Sequence, residues 1–290
     1  MPPARSPGSA HPMIADDDIM VVPGVYDALS AKLAQRAGFP IVVLTGYGVA
    51  ATALGEPDFG LLTQTEMLDV ARRVCSATEL AVIVDGDTGY GGPLNVQHLV
   101  RELVRLGAFG VLLEDQHWPK RCGHMRDKSV IDAEEHAAKI RAAVDARGDS
   151  ELTITARTDA LAVHGLDEAV RRARIYKEAG ADVLFVEGPR SVDELRAIGE
   201  QLPPPLAVNL IEGGQTPLCS LEELHEMGFF SVGFVLSGLY AAARALENTY
   251  RHLRRFGETD SISDTLTTFD EFGEMIGLED RYATDERYRT

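Results

Sequence analysis

Residues 80–115 read LAVIVDGDTGYGGPLNVQHLVRELVRLGAFGVLLED, and this stretch holds the repeat on which the chain is built. It opens on an apolar, β-branched run, Leu80–Asp85, that stops at a carboxylate. A glycine-rich turn follows. Asn95–Leu106 then sets leucines and valines at helical spacing. The LGA that comes next supplies a capping glycine and a small residue. A second apolar run, Phe109–Glu114, ends on another carboxylate. Strands that are apolar throughout and alternate with amphipathic helices belong to a parallel sheet covered on both faces.

The pattern continues in both directions. The remaining runs are Ile19–Pro23, Ile41–Thr45, Leu152–Arg157, Asp182–Glu187, Leu206–Asn209 and Ser231–Leu236. Helical stretches lie between them, as in LDEAVRRARIYKEA at Leu166–Ala179. Eight strand–helix units in roughly 240 residues favour a closed (β/α)8 TIM-type barrel, class α/β, over an open sheet. The expected organisation is a flexible tail over residues 1–15, a barrel over 16–257 and a helical extension over 258–290. Leu266, Phe269, Phe272, Met275 and Ile276 make the extension one amphipathic helix. A barrel does not need it, so it should cover a rim or pack on a neighbouring subunit.

The 290 residues carry a formal charge of −17, which argues against nucleic acid or an anionic membrane as partner. Three cysteines in so long a chain are no disulfide framework and suit a reducing, cytoplasmic setting. No apolar run reaches the roughly 20 residues of a membrane span. MPPARSPGSAHP lacks the apolar segment of a signal peptide.

Barrel enzymes place their chemistry at the C-terminal ends of the strands. Here those ends carry Thr45-Gly46-Tyr47, Asp85-Gly86-Asp87, Glu114-Asp115, Arg157-Thr158-Asp159, Glu187 and Asn209. Any one could be an ordinary polar residue entering a loop; six in succession point to a site. Asp85 and Glu114 follow apolar runs directly, and would repel each other unless a cation sits among them. Oxygen donors without a His/Cys cluster suit Mg²⁺, with Mn²⁺ possible. Asp85 is the candidate direct ligand, with Asp87, Glu114 and Asp58 next.

The loop EDQHWPKRCGHM sets Lys120, Arg121, Cys122, Gly123 and His124 side by side. Cationic neighbours are expected to lower the Cys122 thiol pKa, for a nucleophile or proton donor. Arg157 has a planar fork suited to a substrate carboxylate, with a structural ion pair to Asp159 or Glu187 as the alternative. Gly46 and Gly89–Gly92 are expected to bring backbone N–H groups toward a substrate oxyanion. His98, His136, His164 and His225 read as surface residues, and Cys75 and Cys219 as structural.

These motifs are recognisable together. VPGVYDALSAKLAQRAGF, LGEPDFG, VDGDTGYG, LEDQ, KRCGH, ITARTDA, AGAD and NLIEGGQTP resemble the isocitrate lyase / phosphoenolpyruvate mutase superfamily over nearly the whole chain. KRCGH resembles its lyase branch, and HWPKRCGHM with EGGQTP its dimethylmalate lyase and petal-death-like group. The resemblance implies a Mg²⁺-dependent carbon–carbon lyase acting on a small 2-hydroxy dicarboxylate, and a homotetramer that exchanges its C-terminal helix. It implies that Asp85 binds metal, with Asp58, Asp87 and Glu114 acting through water. Thr45, Gly46, Tyr47 and Arg157 would hold the α-keto acid portion. Lys120–His124 would form a gating loop, and Glu187 and Asn209 would line the second product's site. Tyr47 stands where methylisocitrate lyases have glycine, and Val235 where oxaloacetate hydrolases have serine. The competing expectations are a phosphonate enzyme of the same superfamily, an oxaloacetate hydrolase and a non-catalytic dicarboxylate-binding barrel.

Overall fold

The computed structural model of the chain describes residues 19–289, so the tail expected over residues 1–15 lies outside the described residues. Eight parallel strands close on themselves: β1 (Met20–Val25), β2 (Ile41–Leu44), β3 (Ala81–Asp85), β4 (Gly110–Glu114), β5 (Thr153–Thr158), β6 (Val183–Val186), β7 (Leu206–Asn209) and β8 (Phe229–Phe234). The barrel shuts where Met20 to Pro23 of β1 pair with Ser231 to Phe234 of β8. The expected barrel is therefore the fold. The closing strands lie a little differently from their apolar runs. Pro23, the last residue of the first apolar run, is inside β1, which pairs with β2 only from Gly24 onward. Strand β8 starts directly after Gly228.

The covering helices are α1 (Ala28–Arg36), α2 (Gly46–Val49), α3 (Gln64–Ala77), α4 (Pro93–Leu106), α5 (Ala133–Arg147), α6 (Ala160–His164), α7 (Leu166–Glu178), α8 (Val192–Gln201), α9 (Leu221–Glu226) and α10 (Ser237–Phe256). Helices α2 and α6, and the π-helical turn Ala50–Leu54 after α2, carry no amphipathic signal and were not expected. The extension is two helices rather than one. A 3₁₀ turn, Asp260–Thr265, leads to α11 (Phe269–Ile276) and α12 (Leu278–Tyr288), which part at Gly277 with φ +78°. Helix α11 lies against α1 of the same chain.

The two-residue period of a strand decides what reaches the mouth. Val42, Leu44, Val82, Val84, Val111 and Leu113 pack outward into the layer beneath the helices. Ile41, Val43, Ile83, Leu112, Thr155 and Phe185 face the interior. Following the inward parity along each strand arrives at Thr45, Asp85, Glu114, Arg157, Glu187 and Asn209. The opposite parity sends Asp115 outward, so the adjacent carboxylates Glu114 and Asp115 part company. Asp115 accepts from Tyr176 Oη at 2.7 Å, Thr158 Oγ1 at 2.7 Å, the Asp159 N–H at 2.9 Å and Arg172 Nη1 at 3.1 Å. It thereby ties β4 to β5 and to α7.

His136, expected on the surface, is instead wholly buried on α5 with its ring edge on Tyr176, centroids 4.6 Å apart. Burial, helped by the nearby Lys139 and Arg172, lowers its pKa to about 3, so it packs as a neutral ring.

Asp115→Asn removes the charge that pairs with buried Arg172. It should destabilise the fold by about 3 kcal/mol, read by denaturant titration. A loss under about 1 kcal/mol would make the network incidental.

Candidate active site

Inward parity sets six polar groups round the mouth, and two loops complete the rim. The loop after β2 brings Asp58, which is 5% exposed. The loop after β4 brings residues 116–130, braced by a Gln116–Val130 bridge and by a hydrogen bond from the His117 N–H to the Ser129 carbonyl at 2.9 Å. Gln116 holds the loop's tip from beneath. Its amide donates to the Arg121 carbonyl at 2.7 Å and accepts from the Arg121 N–H at 3.1 Å. The tip reaches across the mouth, where the Cys122 N–H meets the Asp58 carbonyl at 3.2 Å. On the far side Gln215 Nε2 donates to the His124 carbonyl at 2.9 Å. Gly123 has no room for a side chain: a Cβ would stand 2.4 Å from both Arg157 Nη2 and Glu187 Cγ.

Two charge clusters result. In the first, the Lys120 ammonium enters among the carboxylates, 2.7 Å from Asp58 Oδ2 and 2.5 Å from Asp87 Oδ1. Asp85 accepts from the Gly46 N–H at 3.0 Å and the Asp87 N–H at 3.1 Å. Burial pushes Asp87 up to about 7 against the pull of Lys120. Burial also holds Glu114 well above the usual carboxylate range, though Arg157 and Lys120 pull it down. Lys120 thus pairs with Asp58 and Asp87 rather than with Asp85 and Glu114, the carboxylates among which the sequence called for a cation.

The second cluster centres on Arg157. Its Nε donates to Asp159 Oδ2 at 2.9 Å, Nη1 lies 3.0 Å from Glu187 Oε2, and Nη2 lies 3.4 Å from Glu114 Oε2. Both partners named as its structural alternative are engaged, so Arg157 does not present a free fork to a substrate. Glu187 is buried, which raises its pKa, yet Arg157 and the neighbouring His124 ring bring it below the usual range. His124 Nδ1 accepts from the Gln215 N–H at 2.9 Å, so its proton sits on Nε2, 3.2 Å from Glu187 Oε1.

Two further expectations are corrected. The Cys122 thiol is not activated. Burial pushes its pKa up to about 11, and the Asp58 and Glu187 carboxylates add to the rise. The cations beside it in sequence point elsewhere: Lys120 into the acidic cluster, Arg121 onto the Phe59 ring at 5.4 Å and toward the Arg126 carbonyl at 3.1 Å. The glycine turns do not offer free N–H groups either. Gly46 donates to Asp85, Gly89 to the Gly86 carbonyl at 2.8 Å, and Gly92 to Asn95 Oδ1 at 3.2 Å.

Tyr47 is half-buried. Burial and the neighbouring thiol raise its pKa, so the phenol keeps its proton. Thr45 caps α2 through the Gly48 N–H at 3.5 Å. Thr45, Tyr47, Asp85, Cys122, Arg157 and Asn209 line one continuous pocket, with Ile211, Val235 and Leu236 on its apolar side.

Sequence reasoning missed Lys128, Tyr90 and Gln116. Lys128 Nζ pairs with Asp159 Oδ1 at 2.7 Å. Tyr90, held at φ +58°, buries its hydroxyl and meets the Trp118 ring at 6.0 Å. An aromatic residue directly after Thr88-Gly89 was the available signal for Tyr90. Nothing local marks Lys128.

The donors in the acidic cluster are oxygens only, and Glu114 Oε1 is buried without a hydrogen-bond partner. Among the described residues no three His, Cys, Asp or Glu side chains converge as a cage for a metal ion. The oxygen-only donor set is of the kind that suits Mg²⁺, which takes one or two carboxylates directly and keeps several waters.

The family model described as phosphoenolpyruvate phosphomutase matches residues 12–254. A petal death protein of Dianthus caryophyllus is 51% identical, covering 96% of this chain and 88% of its own. A carboxyvinyl-carboxyphosphonate phosphorylmutase, chloroplastic, of Arabidopsis thaliana is 47% identical over 99% of this chain and 86% of its own. A 2,3-dimethylmalate lyase of Eubacterium barkeri is 40% identical over 96% of both. Among solved structures, 2,3-dimethylmalate lyase superposes with a TM-score of 0.90 at 37% identity, covering 95% of this chain and 92% of that one. Oxaloacetate acetylhydrolase in complex with 3,3-difluorooxalacetate gives 0.89 at 38%, covering 94% of both.

The raised thiol pKa sets a pH profile. An ordinary thiol ionises near 8.5; Cys122 should hold its proton until about pH 11. Peptide-resolved alkylation of the folded protein should stay slow at Cys122 through pH 9 and climb only beyond pH 10. A midpoint at or below the ordinary value would refute the assignment.

Proposed function

The chain belongs to the phosphoenolpyruvate mutase / isocitrate lyase superfamily, and from that membership we propose that it is a carbon–carbon lyase cleaving a substituted malate to an α-keto acid and a carboxylate. The observation that carries the reading is the placing of Cys122 by the loop over a pocket ringed by Thr45, Tyr47, Asp85, Arg157 and Asn209, where burial favours the thiol over the thiolate. Cleavage between C2 and C3 of a 2-hydroxy dicarboxylate leaves a carbanion at C3, and that carbon needs a proton donor.

Mg²⁺, with Asp85 as direct ligand and Asp58, Asp87 and Glu114 acting through water, would lower the pKa of the C2 hydroxyl and anchor the α-keto acid. Thr45, Gly46 and Tyr47 frame that end of the substrate. Arg157 borders the same end, and Glu187 and Asn209 border the other half. A base removes the hydroxyl proton, the C2–C3 bond breaks, and its electron pair passes to the leaving half as an enediolate. The Cys122 Sγ–H then protonates C3. The raised Tyr47 pKa favours a carboxylate acting through water as the base, with Tyr47 as a hydrogen-bond donor. Loop closure excludes water while the carbanion exists.

Two other chemistries are separated by the same site. The phosphonate reading draws on the 47% identical phosphorylmutase, and a phosphorus NMR assay for P–C bond formation distinguishes it. Oxaloacetate hydrolysis is disfavoured because Val235, on the pocket wall, has no hydroxyl to hold a hydrated ketone.

The assembly proposed is a homotetramer built through α10 and the extension, residues 258–290. Helix α10 has no buried residue and leaves Leu246 at 51%, Tyr250 at 62% and Phe256 at 56% exposed. An apolar face of that kind marks an interface. No described helix is long and apolar enough to cross a membrane. The compartment proposed is the cytoplasm.

The deciding experiment is a Mg²⁺-dependent screen of 2-methyl-, 2,3-dimethyl- and longer alkylmalates, methylisocitrate and oxaloacetate, reading keto acid release. Release from a malate that chelator abolishes is expected; equal turnover with chelator sinks the metal. Cys122→Ser should bind keto acid as before and lose turnover by about 10²–10⁴-fold. An unchanged rate removes the thiol from the reaction. Gly123→Ala, which puts a methyl into Arg157 and Glu187, should lower kcat/KM by about 100-fold. Activity near wild type would mean that the loop need not close this far.

A further inference from the structure

Lys128 is a buried cation that the mechanism above does not use. It lies past the KRCGH tip, on the limb of the loop that returns to the barrel. Its side chain is only 2% exposed, and its partner Asp159 is fully buried. A lysine is almost never buried to this degree unless it is paired.

The ammonium makes two contacts. It hydrogen-bonds the Gly123 carbonyl, and it lies 2.7 Å from Asp159 Oδ1. Asp159 accepts Arg157 Nε at 2.9 Å through its other oxygen. Arg157 Nη1 meets Glu187 Oε2 at 3.0 Å, and Glu187 Oε1 meets His124 Nε2 at 3.2 Å. His124 follows Gly123 in the chain, so the path returns to its origin. It is a ring of alternating groups: Lys128, Asp159, Arg157, Glu187, His124 and the Gly123 peptide.

The ring grips the tip on both sides of Gly123, and Cys122 is the residue before it. Among the described residues no other charged side chain is hydrogen-bonded to this peptide, and Arg121 turns outward to Asp127 at 3.5 Å. Lys120 anchors the tip's other end, in a separate cluster. Gly123 also packs so close to Arg157 and Glu187 that the ring has a defined height.

We propose that Lys128 is a positioning residue: its ammonium fixes the Gly123 carbonyl to the Asp159–Arg157 pair and so sets the Cys122 thiol over the pocket. Its effect on turnover rests on Cys122 being the proton donor; its effect on the loop does not. Arg157 thereby has two duties, a wall of the substrate pocket and the keystone of the latch. Because the cation is buried and paired, the latch should be little affected by salt.

The test compares Lys128→Met with the wild-type protein. Met keeps the length and apolar stem and removes the charge and donors. The first readout is alkylation of each cysteine, resolved by peptide mass spectrometry. With the latch gone the tip opens and Cys122 meets water, so its rate should rise by about tenfold or more. Cys75 and Cys219, elsewhere in the fold, should react as before and serve as internal controls. The second readout is the emission of Trp118, the chain's one tryptophan, which sits in the same loop and should report a wetter environment. The third is turnover on whichever malate the screen identifies: kcat should fall about 100-fold with KM changed far less. In Lys128→Ala, which leaves the space of the side chain empty, added alkylammonium should restore part of both the slow alkylation and the rate.

An unchanged Cys122 alkylation rate overturns the proposal, whatever happens to turnover. A parallel rise at all three cysteines also overturns it, because it reports general loosening. Should the methionine variant fail to fold, Lys128→Gln, which keeps an amide donor without charge, is read in the same way. If no malate is cleaved, the lyase reading fails while the alkylation ratio still decides on the latch.

Discussion

Two lysines of one loop, Lys120 and Lys128, enter the mouth of the barrel and end on buried carboxylates of the segments that follow β2, β3 and β5. Asp58, Asp87 and Asp159 receive them at 2.7, 2.5 and 2.7 Å. Inward-facing carboxylates on a parallel barrel cannot be left as they are, since a buried, unpaired charge costs several kcal/mol. The chain meets that cost with Arg157 on β5 and with two cations carried on a loop. Burying the charges and closing the loop are therefore one event.

This coupling has a chemical consequence for the thiol between the lysines. A cysteine flanked by cations in sequence suggests a thiolate. In the fold the cations are spent on carboxylates, and what faces the sulfur is apolar wall and negative charge. The pKa rises to about 11 instead of falling. A thiol of that kind is a poor nucleophile at neutral pH but keeps its proton for a carbanion, which is far more basic. The same burial and negative charge raise the Tyr47 phenol, which in the proposed reaction favours a carboxylate as the base.

Much of this was legible in the sequence, and the reason is periodicity. Residues 80–115 display the strand–helix repeat openly, and the two-residue period then carries the eye from Ile83 to Asp85 and from Leu112 to Glu114. Thr45, Arg157, Glu187 and Asn209 follow by the same count. What was not legible depends on where side chains go after leaving the strands. Asp115 and Glu114 are neighbours in sequence and face opposite sides of the sheet. His136 looks like a polar residue on a charged helix, yet α5 turns it against Tyr176. Lys128 lies in RDKSV, a stretch that reads as solvated loop, and only the fold reveals that its ammonium ends beside Asp159. The expected single C-terminal helix breaks at Gly277, whose left-handed φ no hydrophobic count reports.

The position of Arg157 shows how binding and closure can be linked without a separate device. Its guanidinium has five N–H donors, and in the closed loop they serve Asp159, Glu187 and Glu114. A substrate carboxylate that approaches this side must share those donors or displace one of the acceptors. Displacing Glu187 would free the acceptor of His124 and slacken the tip; sharing leaves the ring whole and adds a negative charge beside it. The second course is favoured when the incoming half of the substrate is apolar next to Ile211, Val235 and Leu236 and places its charge elsewhere. A tricarboxylate, with one more charge to place, makes the first course harder to avoid. Under the proposed lyase reading, the ring of ion pairs that closes the loop would disfavour the more highly charged substrates, with residues already needed to bury the barrel's own charge.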